Sequence, residues 1–172
     1  VEADTRFDHR FMDLRKPEVR AVFEVKSITL SLIDQFLVDE GFMEIFTPKI
    51  VASGPEGGAT LFKLDYFGKQ AYLAQSPQLY KQMLMSTGMD RVFEIGPAFR
   101  AEPSDTVRHV SEFISFDGEM AFIDSMNDVL DVIERCTQSV IKGVIDKASS
   151  QLECLSAEVA VPKAPYPVIE YK

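Results

Sequence analysis

The sequence predicts an α+β fold in which an antiparallel β-sheet is flanked by helices. Three observations carry this expectation. Residues 17–40 and 125–147 repeat apolar residues at three- and four-residue spacing, the mark of an amphipathic helix. Between them lie short apolar segments punctuated by Gly and Pro, which suit strands better than helices. Two of these segments, 91–99 and 112–122, flank a polar loop at 101–111 and read as a long antiparallel hairpin.

Residues 1–16 are polar and charged and read as a linker or lead-in. The first helix starts near Pro17, whose fixed φ suits a first turn. It buries Val22, Val25, Ile28, Leu32, Ile33, Phe36 and Leu37, and it stops at Gly41. A strand follows at about 42–46, with Pro48 just after it. SGPEGGAT (53–60) is a loop, because three glycines and a proline hold neither a helix nor a central strand. Residues 61–66 and 70–74 read as short strands joined at Gly68. The second helix, 77–87, is opened by Ser76 as N-cap with Pro77 at the first position, and it ends at Gly88. In the helix at 125–147 the expected buried stripe is Met126, Leu130, Ile133, Cys136, Val140 and Val144. VPKAPYPV (161–168) holds three prolines and reads as a connector at 162–172, so more chain is expected beyond it.

Composition narrows the function classes. The 172 residues are 46% hydrophobic, enough for one packed core, and apolar residues are spread along the whole chain, which argues against disorder. A net charge of −9 argues against a basic nucleic-acid clamp over the whole surface but leaves a local basic cleft open. No apolar run reaches the ~18 residues of a membrane span, and VEADTRFDHRFMDLRK has no apolar signal core. A cytoplasmic location without membrane partners is the expectation. Cys136 and Cys154 stand 18 apart with no CxxC partner and only two His in the chain, so a zinc site is not expected and both read as structural.

The chemistry concentrates in RVFEIGPAFRAEPSDTVRHVSEFISFDGE (91–119), which carries Arg100, Glu102, Arg108, His109 and Phe113. Arginine presents a planar fork of donors that matches phosphate oxygens, and two such forks could hold two phosphates of one nucleotide. Phe113 could stack on a base while Glu102 accepts from an exocyclic amine. The alternative is a set of solvated loop charges paired with one another, which is common and weak. In QSPQLYKQ (75–82), Gln78 and Lys81 fall at i and i+3 of the expected helix and share a face. Together they suit a small carboxylate; the alternative is an exposed amphipathic helix start. Glu56, Gly57 and Gly58 form a loop whose glycines would let backbone close over a ligand.

These segments resemble the catalytic core of the class II aminoacyl-tRNA synthetases, and within them the aspartyl enzymes of archaeal and eukaryotic type. GFMEIFTPKI is similar to motif 1 of that family, and FRAEPSDTVRHVSEF to motif 2. EGGATLF and QSPQLYKQM resemble the amino-acid-binding loop and helix of the aspartate branch. Asparaginyl enzymes tend to read QSSQLYLE where this chain has QSPQLYKQ, which makes Lys81 the discriminating position. A cation suits the aspartate side chain, since a desolvated carboxylate needs a positive partner.

The resemblance implies the N-terminal half of the class II core, with ATP and Mg2+ serving the activation of aspartate and its transfer to tRNA. Arg100 would contact the ATP α-phosphate and act in catalysis, Glu102 the adenine amino group, Arg108 the terminal phosphates with His109 close by, and Phe113 the adenine ring. Lys81 would pair with the aspartate side chain beside Gln78, while Glu56, Ser76 and Asp117 would surround its amino group and main chain. No metal ligand is expected within this chain; motif 3 and the magnesium carboxylates would follow it. Residues 1–16 would connect to an anticodon-binding domain, 17–161 would form a partial catalytic domain, and a homodimer is implied through residues 17–51. By itself the chain is expected to be inactive. Two further readings remain open here: a synthetase-derived module that binds a ligand or partner without catalysis, and a free-standing asparagine synthetase of the same core.

Overall fold

The computed structural model describes residues 2–53, 61–101 and 110–169. They fall into two compact units, one formed by residues 1–40 with 124–172 and the other by 41–123. The expected mixture of helices and sheet is present.

The first unit is helical. The polar lead-in, for which no element was expected from sequence, forms α1 (Ala3–Asp8) and α2 (Arg10–Asp13). The cause is Asp13, which is 4% exposed and draws Arg6, Arg10 and Lys16 onto one carboxylate at 2.9, 2.6 and 3.1 Å. Sequence periodicity does not register such a charge-organised turn. Helix α3 (Pro17–Asp39) begins and ends as expected, with Gly41 at φ +81° just beyond it. Helix α5 (Met126–Lys147) opens on a capping box: Ser125 Oγ accepts from the Asn127 N–H and the Asp128 carboxylate accepts from the Ser125 N–H at 2.8 Å. A short α6 (Ser149–Cys154), not expected from sequence, follows.

The core of this unit is a four-residue row, Cys136, Val140, Val144 and Ala148, packed against Val25, Ile28, Leu32, Ile33 and Phe36 of α3 and Leu152 of α6. Two expected members of the stripe, Met126 and Ile133, are exposed, and Val132 is buried instead. Val22 of α3 is exposed as well. The i, i+4 row 136–148 is the ridge that meets α3, and residues off that ridge lose this cover. Gly143 permits the close approach, since a Cβ there would lie 2.7 Å from Leu32 Cδ2. Arg135 ties the helices together through a two-pronged pair with Glu40, a bond to Asp131 at 2.9 Å, and a position over the Phe36 ring. Burial pushes the Cys136 thiol up, consistent with an inert core cysteine, while Cys154 is exposed. The proline-rich tail is fastened to α5 by Gln138 Nε2 donating to Pro162 O and the Tyr166 N–H donating to Glu134. Among the described residues no helix is long and apolar enough to cross a membrane.

The second unit holds two three-stranded sheets. In one, β1 (Met43–Glu44), β5 (Arg91–Phe99) and β6 (Glu112–Met120) lie in the order β1-β5-β6. In the other, β2 (Ile50–Val51), β3 (Lys63–Tyr66) and β4 (Lys69–Leu73) lie in the order β2-β4-β3. All pairings are antiparallel except β1 with β5, which is parallel and is reached by the long crossover through the other sheet. The β3–β4 turn uses positive φ at both Phe67 and Gly68, the geometry that matches strand twist in a two-residue hairpin. The sheets meet at Ala74, whose N–H donates to Lys49 O at 2.9 Å and whose carbonyl accepts from the Phe99 N–H at 3.0 Å. Helix α4 (Gln78–Met85) packs on β5 and β6. Its N-cap is Pro77 rather than Ser76: the Ser76 hydroxyl stands 3.5 Å from the Gln78 N–H, at the limit of a hydrogen bond.

Candidate functional site

The antiparallel register of β5 and β6 sorts their side chains into two faces. Residues directly opposite each other project to the same side. One face therefore carries the pairs Val92–Glu119, Glu94–Asp117, Gly96–Ser115 and Ala98–Phe113, continuing to Arg100. Along β6 the members of this face are half-buried, whereas Ile114, Phe116 and Gly118 on the other side are exposed. The middle of the face is floored by Gly96 and Ala98, two of the smallest residues available.

At one end the Arg100 guanidinium lies over the Phe113 ring at 5.4 Å from its centroid. Arg100 is anchored by its backbone N–H donating to Ser111 O at 2.9 Å. A planar cation beside an aromatic surface is suited to a phosphate attached to a base. At the other end Lys81, on α4, is 4% exposed and directs its Nζ at β6. The ammonium lies 3.4 Å from Gly118 O, 3.5 Å from Glu119 Oε2 and 3.7 Å from Asp117 Oδ1. All three contacts are long for a charge-assisted hydrogen bond. Asp117 is oriented by Ser115, whose hydroxyl donates to Oδ2 at 2.5 Å. Phe113 and Asp117 are four residues apart on one strand, which places the ends about 14 Å from each other.

The structure thus brings together four of the residues singled out from sequence, within one unit. Arg100 and Phe113 meet at one end, and Lys81 and Asp117 at the other. Ser76 lies just before α4, and Gln78 on its first turn is exposed while Lys81 is buried. Ser76 also lines a separate cavity of about 230 Å³ with Val51, Leu79, Tyr80 and Met83. Glu56, Glu102, Arg108 and His109 lie outside the described residues. Sequence reasoning missed Glu119, Ser115 and Glu94. The signal for the first two was the alternation Phe113, Ser115, Asp117, Glu119 along one strand. For Glu94 it was a lone carboxylate between Phe93 and Ile95 in a segment destined for burial. Among the described residues no group of three or more His, Cys, Asp or Glu side chains is placed to hold a metal ion.

The family model for class II tRNA synthetases of the D, K and N group matches residues 2–172. The chain belongs to the class II tRNA synthetases. It is 51% identical over 171 residues to the aspartate–tRNA(Asp) ligase of Pyrococcus horikoshii, covering 99% of this chain and 39% of that protein. It is equally similar to the aspartate–tRNA(Asp/Asn) ligase of Archaeoglobus fulgidus, at 51% identity, covering 99% of this chain and 40% of that protein. The chain therefore spans about two fifths of the length of these curated relatives. Among solved structures, the asparaginyl-tRNA synthetase of Pyrococcus horikoshii complexed with asparaginyl-adenylate superposes with a TM-score of 0.83 at 35% identity, over 89% of this chain and 35% of that one. The aspartyl-tRNA synthetase of Entamoeba histolytica gives a TM-score of 0.77 at 36% identity, over 90% of this chain and 28% of that one. The fold expected from sequence, part of a class II synthetase core, is the one these neighbours share. In this synthetase chain Arg100 and Phe113, from the segment that resembles motif 2, and Lys81, from the segment that resembles the amino-acid helix, lie along the β5–β6 face.

Proposed function

We propose that the protein containing this chain activates aspartate with ATP, forming aspartyl-adenylate and pyrophosphate, and transfers the aspartyl group to tRNA. The observation that carries the reading is the buried Lys81 ammonium, facing two carboxylates at one end of a sheet face whose other end presents Arg100 and Phe113. The separation of the two ends is comparable to the length of a nucleoside monophosphate carrying a small acyl group. The similarity to aspartate–tRNA ligases supports the same substrate.

A zwitterionic dicarboxylic acid matches the Lys81 end in both signs. Its side-chain carboxylate takes the short positions on the Lys81 ammonium, and its own ammonium goes to Asp117, already held by Ser115. Adenine stacks on Phe113, and Arg100 moves from the ring onto the α-phosphate. The substrate α-carboxylate then attacks the α-phosphorus in line, and pyrophosphate leaves from the opposite side. Arg100 stabilises the negative charge gathered on the phosphorus oxygens, while the sheet face supplies alignment. Glu102, Arg108 and His109, between Arg100 and Phe113 in sequence, serve the nucleotide, and Ser76, Gln78 and Glu56 serve the amino acid. Magnesium accompanies ATP; among the described residues no group of three or more His, Cys, Asp or Glu side chains is placed to hold it. The cytoplasm is the expected compartment and a homodimer the expected state.

The test is pyrophosphate exchange by the full-length protein with aspartate or asparagine as substrate. Aspartate-dependent exchange, with asparagine at least about 100-fold poorer in kcat/KM, is expected from the loss of a desolvated charge pair. Equal use of asparagine, or exchange independent of aspartate, overturns the reading.

A further inference from the structure

We infer that Glu94 is a positioning residue for the adenylate-forming face, acting through a clasp made with Thr47 and Lys49. The inference rests on the reading of that face as the site of aspartate activation. Glu94 lies in the middle of β5 and is 3% exposed. Both of its carboxylate oxygens are engaged by one short segment. Oε1 accepts from the Thr47 N–H at 3.1 Å and pairs with Lys49 Nζ at 2.7 Å, and Oε2 accepts from the Thr47 hydroxyl at 2.7 Å. Lys49 Nζ also donates to Thr47 Oγ1 at 3.1 Å, which closes the triangle.

The clasp stands where the backbone ladder stops. The parallel pairing of β1 with β5 ends with the Ile45 N–H donating to Phe93 O at 2.8 Å. The next donor on that side, the Thr47 N–H, goes to the Glu94 carboxylate instead of a β5 carbonyl, so the Glu94 side chain takes over the attachment of residues 47–49. From there the path runs through main chain: Lys49 O accepts from the Ala74 N–H, and Ala74 O accepts from the Phe99 N–H. The result is a closed circuit of hydrogen bonds from the centre of β5, through 47–49 and 74, back to the end of β5. Arg100 is the next residue after that end. Ala74 leads through residues 75–77 into α4 and thus to Lys81. One buried carboxylate therefore braces the attachments of both functional ends.

Two details fit this role. A Cβ at position 96 would come within 3.2 Å of Glu94 Oε1, so glycine there leaves the clasp uncrowded. Glu94 is also directly opposite Asp117 in register. Engaged on both oxygens by Thr47 and Lys49, it stays out of competition with Asp117 for Lys81.

The experiment uses the full-length protein with Glu94→Gln, Thr47→Val and Thr47→Ser. In pyrophosphate exchange, Glu94→Gln is expected to lower kcat by about 10- to 100-fold, the scale of a misplaced reacting geometry, with a smaller change in the KM for aspartate or ATP. Thr47→Val, which removes the two bonds of the hydroxyl while leaving Glu94 paired with Lys49, is expected to lower kcat several-fold, and Thr47→Ser to restore it. Amide hydrogen exchange gives a readout independent of activity: Ala74 and Phe99 are expected to exchange at least about tenfold faster in Thr47→Val, with α5 unchanged. Folded variants that keep kcat within twofold, or unchanged exchange at Ala74 and Phe99, overturn the inference. A wild-type protein inactive with aspartate refutes the proposed function, and the amide exchange then decides the clasp by itself.

Discussion

Lys81 shows what a single residue contributes and how far sequence can locate it. Its position in QSPQLYKQ was legible as a cation on a helix face, but its burial was not. Only the packing of α4 on β6 removes it from water and sets it beside Asp117 and Glu119. A buried charge without a partner is costly, so this arrangement is stable only with facing carboxylates or a bound one. Replacing Lys81 with leucine in the full-length protein is expected to weaken aspartate use by about 2–5 kcal/mol, the loss for truncating one partner of a desolvated pair. ATP dependence should change far less. Titrating pyrophosphate exchange against each substrate separates the two, and an unchanged aspartate dependence removes Lys81 from the pocket. Glu94 lies beyond sequence reading for the opposite reason: its partners Thr47 and Lys49 are more than forty residues away, and no local pattern connects them.

Elements were legible where their signal is local. The boundaries of α3, α5 and β5 agree with apolar periodicity and with Gly41, properties of neighbouring residues, while β6 ends at Met120, two residues short of the expected 122. Helices α1 and α2 escaped because they are organised by charge. The Arg6 guanidinium, reinforced by Lys16, holds the Asp13 carboxyl well below the usual carboxylate range. A carboxylate depressed on folding contributes stability that is full above its unfolded pKa and is lost as pH falls through the folded one. The stability difference between the wild type and Asp13→Asn is therefore expected to be constant above about pH 5 and to shrink below about pH 4. Because Arg6, Arg10 and Lys16 are substantially exposed, added salt should reduce it too. Urea midpoints across pH, with and without salt, check both statements. A difference independent of pH removes the ion cluster as the cause.

At the scale of the whole molecule, the exposed apolar side chains of the motif 1 region bear on assembly. Val22, Phe23 and Val38 on α3 are 53%, 47% and 50% exposed, and Met43, Phe46 and Ile50 beyond it 53%, 80% and 48%. Residues 17–51 resemble the segment through which class II synthetases pair, and exposed apolar side chains on such a segment suit burial against a second copy. A homodimer is expected in sedimentation at micromolar concentration, with Phe46→Arg shifting it toward monomer. A clean monomer for the wild type counts against the pairing.

The sequence by itself determined the class of fold, the family, and the residue types at both ends of the site, because motifs and periodicities are written in neighbouring positions. Arg100 and Phe113 were read as a phosphate-and-base pair, and Lys81 and, by resemblance, Asp117 as the amino-acid side proposed here. The tertiary structure alone decided which of them share a face. Strand register put Asp117 opposite Glu94 and Ser115 opposite Gly96, and α4 delivered Lys81 to that same side. It also decided that residues 132, 136, 140, 144 and 148, rather than 126 or 133, form the buried row of α5 and its C-terminal end. The physical reason is common to both cases. A side chain's own periodicity says that it has a face, but what covers that face depends on a partner distant in sequence, and only the folded chain supplies it.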